Sequence, residues 1–166
     1  MADLRARRIE REREWLARLV QDNPETLSEL ACDRDEFRLR LRIAERDHQA
    51  RIVFPRFFPS VPLEAYLAEP IPHPNVDPNN GFVCLWTKLS VRHTAVEAVR
   101  RLRLILAWRI FNLEADHVMQ LDQAERARRG DYQQIESAPL RLPEELLLEA
   151  AAQAPRPRRT RLTEPG

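Results

Sequence analysis

Six prolines fall between Phe54 and Pro74, at positions 55, 59, 62, 70, 72 and 74, and they restrict how the middle of this chain can run. Proline fixes its own φ and offers no backbone N–H, so so dense a stretch admits neither a helix nor an interior strand. At most a short edge strand near residues 63–67 fits between Pro62 and Pro70. Regular structure must therefore lie on either side. Upstream, three strand candidates occupy about residues 26–32, 36–43 and 49–54, and Phe37, Leu39, Leu41 and Ile43 alternate strictly with arginines. That alternation turns one face of a strand to a core and the other to water. With connections this short, the strands form an antiparallel meander.

Helices flank the meander. Residues 2–20 carry Leu4, Ile9, Leu16, Leu19 and Val20 at roughly helical spacing, and Asn23-Pro24 ends the run. Residues 94–111 place Val99, Leu102, Leu106 and Ile110 on one face and Arg100, Arg101 and Arg103 largely elsewhere, so this helix is expected to pack across the sheet. Further helices are expected over 118–129, ending at Gly130, and over 143–153, with Pro143 at the start. The fold class is α+β: an N-terminal helix, a meander of about four strands, a long central helix on the sheet, and C-terminal helices. Residues 1–135 form one domain, 136–153 a helical extension, and 154–166 a basic, proline-rich tail expected to be disordered.

Charge excludes some partners. The chain has 27 basic and 26 acidic residues, a formal net charge of +1, which provides no global attraction to nucleic acid or anionic membrane. No apolar run approaches the roughly 18 residues of a membrane span, so a cytoplasmic protein is expected. Cys32 and Cys84 are the only cysteines, too few for a disulfide framework and without the paired spacing of a zinc site. Neither metal nor cofactor is expected. Lys88 is the sole lysine, so 26 of the 27 basic residues are arginine. Genomic base composition explains that skew, as does a protein handling an amine-reactive group with few amines of its own.

Cys84 follows a turn-forming segment, His73-Pro74-Asn75-Val76-Asp77-Pro78-Asn79-Asn80-Gly81, and lies in the apolar run Phe82-Val83-Cys84-Leu85. Prolines, asparagines and glycine make that segment a rigid, irregular platform. A thiolate is both nucleophile and leaving group, so a cysteine here can accept an acyl group and pass it on. A lone cysteine in an apolar run is otherwise a small core residue. Both readings stand on the residues alone.

The order of helix, meander, proline-rich connection, cysteine loop and long helix resembles the ubiquitin-conjugating enzymes. Phe54-Pro55-Arg56-Phe57-Phe58-Pro59-Ser60-Val61-Pro62 is similar to that family's segment of aromatic-proline pairs followed by a further proline. His73-Pro74-Asn75 matches its His-Pro-Asn tripeptide, and Gly81-Phe82-Val83-Cys84-Leu85 its glycine, apolar residue, catalytic cysteine and leucine. Leu121-Asp122-Gln123-Ala124 and Asp131-Tyr132 resemble its later helical region. The resemblance spans about residues 2–135. It implies that Cys84 takes the C-terminal glycine of a ubiquitin-like modifier from an activating enzyme as a thioester and transfers it to an amine on a target, the ATP being used by the activating enzyme. Asn75 would then stabilise an oxyanion or support the loop, and His73 and Pro74 would support the loop. Asp116, counted from Cys84, would help activate the acceptor amine, with His93 and His117 as other proton acceptors. The first helix would dock the activating enzyme, with Arg5 and Arg8 facing an acidic partner surface.

Three features depart from the family pattern. Five residues, Val76 to Asn80, separate Asn75 from Gly81 where the family usually has four. The usual Trp-Ser-Pro after the cysteine is replaced by Arg92-His93-Thr94, with Trp86 standing earlier. The meander lacks glycine-rich turns. A compact, arginine-rich chain of this kind resembles bacterial members, which occur in operons with a modifier, an activating enzyme and a protease, several acting against phage. The alternative is a non-catalytic adaptor of the same fold that binds a ubiquitin-like protein without carrying it.

Overall fold

A computed structural model describes residues 3–144 and 146. Along the chain run α1 (Leu4–Asp22), β1 (Leu27–Cys32), β2 (Glu36–Ile43), β3 (Arg46–Val53), β4 (Glu64–Leu67), β5 (Phe82–Val83), α2 (Ala95–Leu106) and α3 (Leu121–Arg128). The strands form one antiparallel sheet in the order β1-β2-β3-β4-β5. This is the α+β arrangement expected from the sequence. The alternation in β2 buries Phe37, Leu39, Leu41 and Ile43 and turns Arg38 and Arg42 outward. It pairs residue by residue with β3, from Glu36 opposite Val53 to Ile43 opposite Arg46. A two-residue turn, Ala44-Glu45, closes this hairpin, with Ala44 at φ 51° where glycine is usual.

One helical layer covers the sheet. α1 buries Ile9, Trp15, Leu16 and Leu19, and α2 buries Val96, Val99, Leu102, Ile105 and Leu106. The two helices are joined by a buried carboxylate: Glu12 Oε1 accepts from Arg8 Nε at 2.8 Å, and Oε2 accepts from the Ala95 N–H at 2.7 Å. Burial raises the Glu12 carboxyl above the usual range, opposed by the Ala95 N–H and by Arg8. Thr94 completes the cap, its Oγ1 accepting from the Glu97 N–H.

Three elements differ from expectation. β4 is an interior strand between β3 and β5, because Pro62 and Pro70 flank it and none lies within it. α2 stops at Leu106 and does not reach 111. There the Trp108 N–H donates to Ile105 O, the Arg109 N–H donates to Leu104 O at 2.8 Å, and Trp108 takes φ 53°. That is a helix-ending motif normally built on glycine. The Trp108 ring packs edge-on to His73 at 4.7 Å and stacks on Tyr132 at 5.3 Å. α3 is also shorter than 118–129, and Gln120 Nε2 reaches back to Ile71 O and Val76 O.

Residues 131–142 return along this core without helix or strand. The Ile135 N–H donates to Ala107 O, and the Asn23 side chain bridges both the N–H and the carbonyl of Arg141. The helix expected over 143–153, past its first residues, and the tail over 154–166 lie outside the described residues. Among the described residues no helix is long and apolar enough to cross a membrane.

Candidate active site

The platform before Cys84 is closed by its own side chains. Asp77 Oδ1 accepts from the Asn79 N–H, Asn80 Oδ1 accepts from the Phe82 N–H, and the Gly81 N–H donates to Asp77 O. Val76 bridges Val83, the Asp77 N–H donates to Phe82 O, and the Cys84 N–H donates to Asn75 O at 2.9 Å. The five residues between Asn75 and Gly81 thus close on themselves as a turn, and Asn75 stays beside Cys84.

His73 is fully buried. Its Nδ1 accepts from the Asn75 N–H at 3.1 Å, so Nε2 carries the hydrogen and donates to Ile110 O at 3.2 Å. Burial depresses its pKa to about 4. In the unfolded chain a histidine titrates near 6.5, so the folded state takes up this proton later than the unfolded state. The stabilisation is complete above about pH 6.5 and is lost as pH falls toward about 4, costing roughly 3 kcal/mol. Denaturant titrations across this window should show that loss, and a His73→Gln variant should show a smaller slope.

Asn75 is 1% exposed. Its Oδ1 accepts from the Asn112 N–H at 2.7 Å, while Nδ2 donates to Asn112 O at 2.7 Å and His117 O at 2.9 Å. Both carboxamide hydrogens are thereby directed at the 112–117 segment and away from Cys84. Asn75→Ala should leave one N–H and two carbonyls short of partners and cost about 3 kcal/mol, measured by chemical denaturation. It should also slow chemistry at Cys84 by loosening that segment.

The segment so fastened carries the group nearest the thiol. Cys84 is half-buried, and its Sγ lies 3.0 Å from His117 Nδ1. On the other side of the ring, Nε2 lies 3.5 Å from Glu114 Oε2 and 3.7 Å from Asp116 Oδ1. The His117 side chain is 14% exposed, against 72% for Glu114 and 80% for Asp116, so the imidazole belongs to the site and the carboxylates to its rim. Burial, and then the negative charge of Asp116, push the Cys84 thiol up from its ordinary range.

A cleft of about 320 Å³ opens beside the sulfur, between His117 and Phe111 on one side and Arg100, Arg101 and Leu104 of α2 on the other. Arg101, on that wall, donates to Leu85 O at 2.8 Å. His93 lies elsewhere: it stacks on Trp86 at 3.8 Å and bonds through Nε2 to Lys88 O. Trp86 in turn donates to Leu63 O. Met119 donates its N–H to Pro74 O at 2.7 Å.

Arg5 and Arg8 are occupied within the fold. Arg5 binds Asp35, Phe54 O and Pro55 O, and Arg8 binds Glu12 and His93 O. Reversing either charge would disturb the packing of α1 as well as any docking face. Cys32 ends edge strand β1, at the opposite side of the sheet from Cys84, and both cysteines are free. The carboxylates of Glu114 and Asp116 with one imidazole do not supply the closed set of four ligands of a structural zinc site.

No family model matches the chain, and no curated protein does. Among solved structures, a candidate ubiquitin conjugating enzyme from Plasmodium yoelii superposes with a TM-score of 0.55 at 16% identity, over 75% of this chain and 85% of that one. The fold is that of the ubiquitin-conjugating enzymes. The E2 domain of a Toxoplasma gondii ubiquitin conjugating enzyme is also similar, at 18% identity over 70% of this chain and 88% of that one, with a TM-score of 0.48. In this conjugating-enzyme fold, Cys84 directly follows the edge strand β5 and faces His117. That partner lies 33 residues away in sequence; the sequence offers His117 only as another proton acceptor for the amine, not as a partner of the thiol.

Proposed function

We propose that this protein carries a ubiquitin-like modifier as a thioester on Cys84. The modifier's C-terminal carboxyl arrives from the cysteine of an activating enzyme and leaves to an amine on a target, which makes the protein an acyltransferase. The observation that carries this reading is the half-buried Cys84 sulfur at the head of an open cleft, on a fold shared with conjugating enzymes. A core cysteine would have no cleft beside it. An adaptor that only binds a modifier would need neither the thiol nor an imidazole against it. Asn75 and His73 serve this chemistry as supports: Asn75 pins the 112–117 segment against the platform, and His73 stays neutral beneath it. Asp116 acts at the rim, where an acceptor amine would enter. Docking of the activating enzyme falls to the exposed face of α1, with Arg5 and Arg8 holding the helix in place from within. The arginine-rich composition and compact meander fit a bacterial conjugation system directed against phage, and the genes flanking this one test that assignment.

Incubation with activating enzyme, modifier and ATP should produce a thiol-sensitive adduct on a non-reducing gel. It should persist in Cys32→Ala and vanish in Cys84→Ala. The reverse pattern would refute the assignment.

A further inference from the structure

We infer that His117 is a catalytic residue of this site, the base that takes the Cys84 proton and the acid that returns it. The inference rests on the carrier reading for its substrate, an acyl group in thioester linkage, but its geometry stands independently. Sγ and Nδ1 are 3.0 Å apart, within reach of direct proton transfer. The Asn75 carboxamide fixes the His117 carbonyl at 2.9 Å, so the ring is held from its backbone. The tautomer follows from the surroundings: Glu114 and Asp116 face Nε2, which favours hydrogen on Nε2 and leaves the Nδ1 lone pair to the thiol.

The need for such a base comes from the thiol itself. Burial and Asp116 disfavour its ionisation, so Cys84 rests as the neutral thiol. When the thiol attacks the incoming thioester, its proton passes to Nδ1 and a new S–C bond forms at the carbonyl carbon. As the tetrahedral intermediate collapses, the C–S bond to the activating enzyme breaks and the departing thiolate takes the proton from the imidazolium. In discharge, a neutral amine attacks the acylated Cys84 and the resulting ammonium gives its proton to Nδ1. The S–C bond then breaks, and the Cys84 thiolate recovers that proton as the amide is released. The two carboxylates at Nε2 stabilise the transient imidazolium and act as positioning residues. The other charges lining the cleft are Glu97, Arg100 and Arg101, while Arg128 donates to Leu113 O of the neighbouring segment.

His117→Asn tests the inference, because the asparagine side chain places a polar atom near the position of Nδ1 but does not accept a proton. The fold should survive, since the bond to Asn75 uses the backbone carbonyl, and the melting curve checks this. Alkylation of Cys84 by iodoacetamide requires no partner protein. At neutral pH it should slow about tenfold in His117→Asn, and its pH dependence should become that of a simple thiol. Discharge of a preformed thioester onto a free amine should fall about 100-fold near pH 7 and recover much of that loss near about pH 9, where solvent base substitutes. A purely structural role would lower the rate equally at all pH. Wild-type alkylation and discharge rates in a folded His117→Asn would overturn the inference. Slowed alkylation in a protein that forms no adduct with any activating enzyme would uphold the Cys84–His117 pair and remove the carrier reading instead.

Discussion

Cys84→Lys is expected to replace the labile adduct with one that survives boiling in thiol. The lysine amine would lie near the sulfur's position, at the mouth of the cleft between His117 and Arg100, so an activated carboxyl that reaches Cys84 also reaches the amine. Attack by nitrogen gives an amide, which neither a thiol nor a second amine displaces on the time scale of the assay. The partly buried site disfavours the ammonium form, and His117 at the head of the cleft can take the proton released. Trapping should therefore be slow compared with thioester formation but close to complete over hours. Its readout is a single band resistant to reductant, with the linkage at residue 84 located by peptide mass. The chain has only one native lysine, Lys88, so misassignment is easy to detect. Absence of a reductant-resistant band, with normal loading of the parent protein, would show that an amine at residue 84 does not meet the activated carboxyl.

Gly81→Ala should be the most destabilising single substitution in the platform. A Cβ at this position would lie 2.0 Å from the carbonyl oxygen of Leu67 and 3.1 Å from its carbonyl carbon. Both are backbone atoms of an interior strand, and no side chain can move aside to relieve the contact. The residue also takes φ 76°, a region L side chains rarely adopt. Relief would require breaking the 2.8 Å bond from the Leu67 N–H to Gly81 O and pulling β5 away from β4. We expect a loss of roughly 3–5 kcal/mol, with Cys84 displaced and loading lost. Gly130 is the control: it has φ 71°, but nothing lies within 4 Å of its Cβ position. Gly130→Ala should cost only the conformational term, about 1 kcal/mol, with loading intact.

Legibility in the sequence followed the range of the interaction responsible. β2 was readable to the residue because a period of two has only one structural meaning when one face is buried. The His73 to Cys84 platform was readable because its turn is built from neighbouring asparagines, prolines and glycine. β4 was misread as an edge strand because proline density measures where a strand cannot extend, and the neighbour that covers it, β5, is only two residues long. The end of α2 was hidden because a tryptophan stands where glycine normally marks the stop. Helical spacing continues to Ile110, but the ring's packing on His73 and Tyr132 holds the chain out of helix. His117 and the internal role of Arg5 were the least legible. Each depends on atoms brought together from distant segments, and a histidine or arginine near a helix end looks the same whether it faces water or a reacting sulfur.

The carboxylate of Glu12 has a practical corollary. It accepts from an amide 83 residues further along the chain, at the start of the helix that forms one wall of the cleft. The first helix therefore cannot be treated as a removable handle. Trimming it past residue 12 would leave the Ala95 N–H without its acceptor and change the very wall against which a modifier's tail would lie. A shortened chain that loads poorly would then report damage at its far end as well as the loss of a docking surface. The two are separated by comparing that truncation with the full-length Glu12→Gln variant.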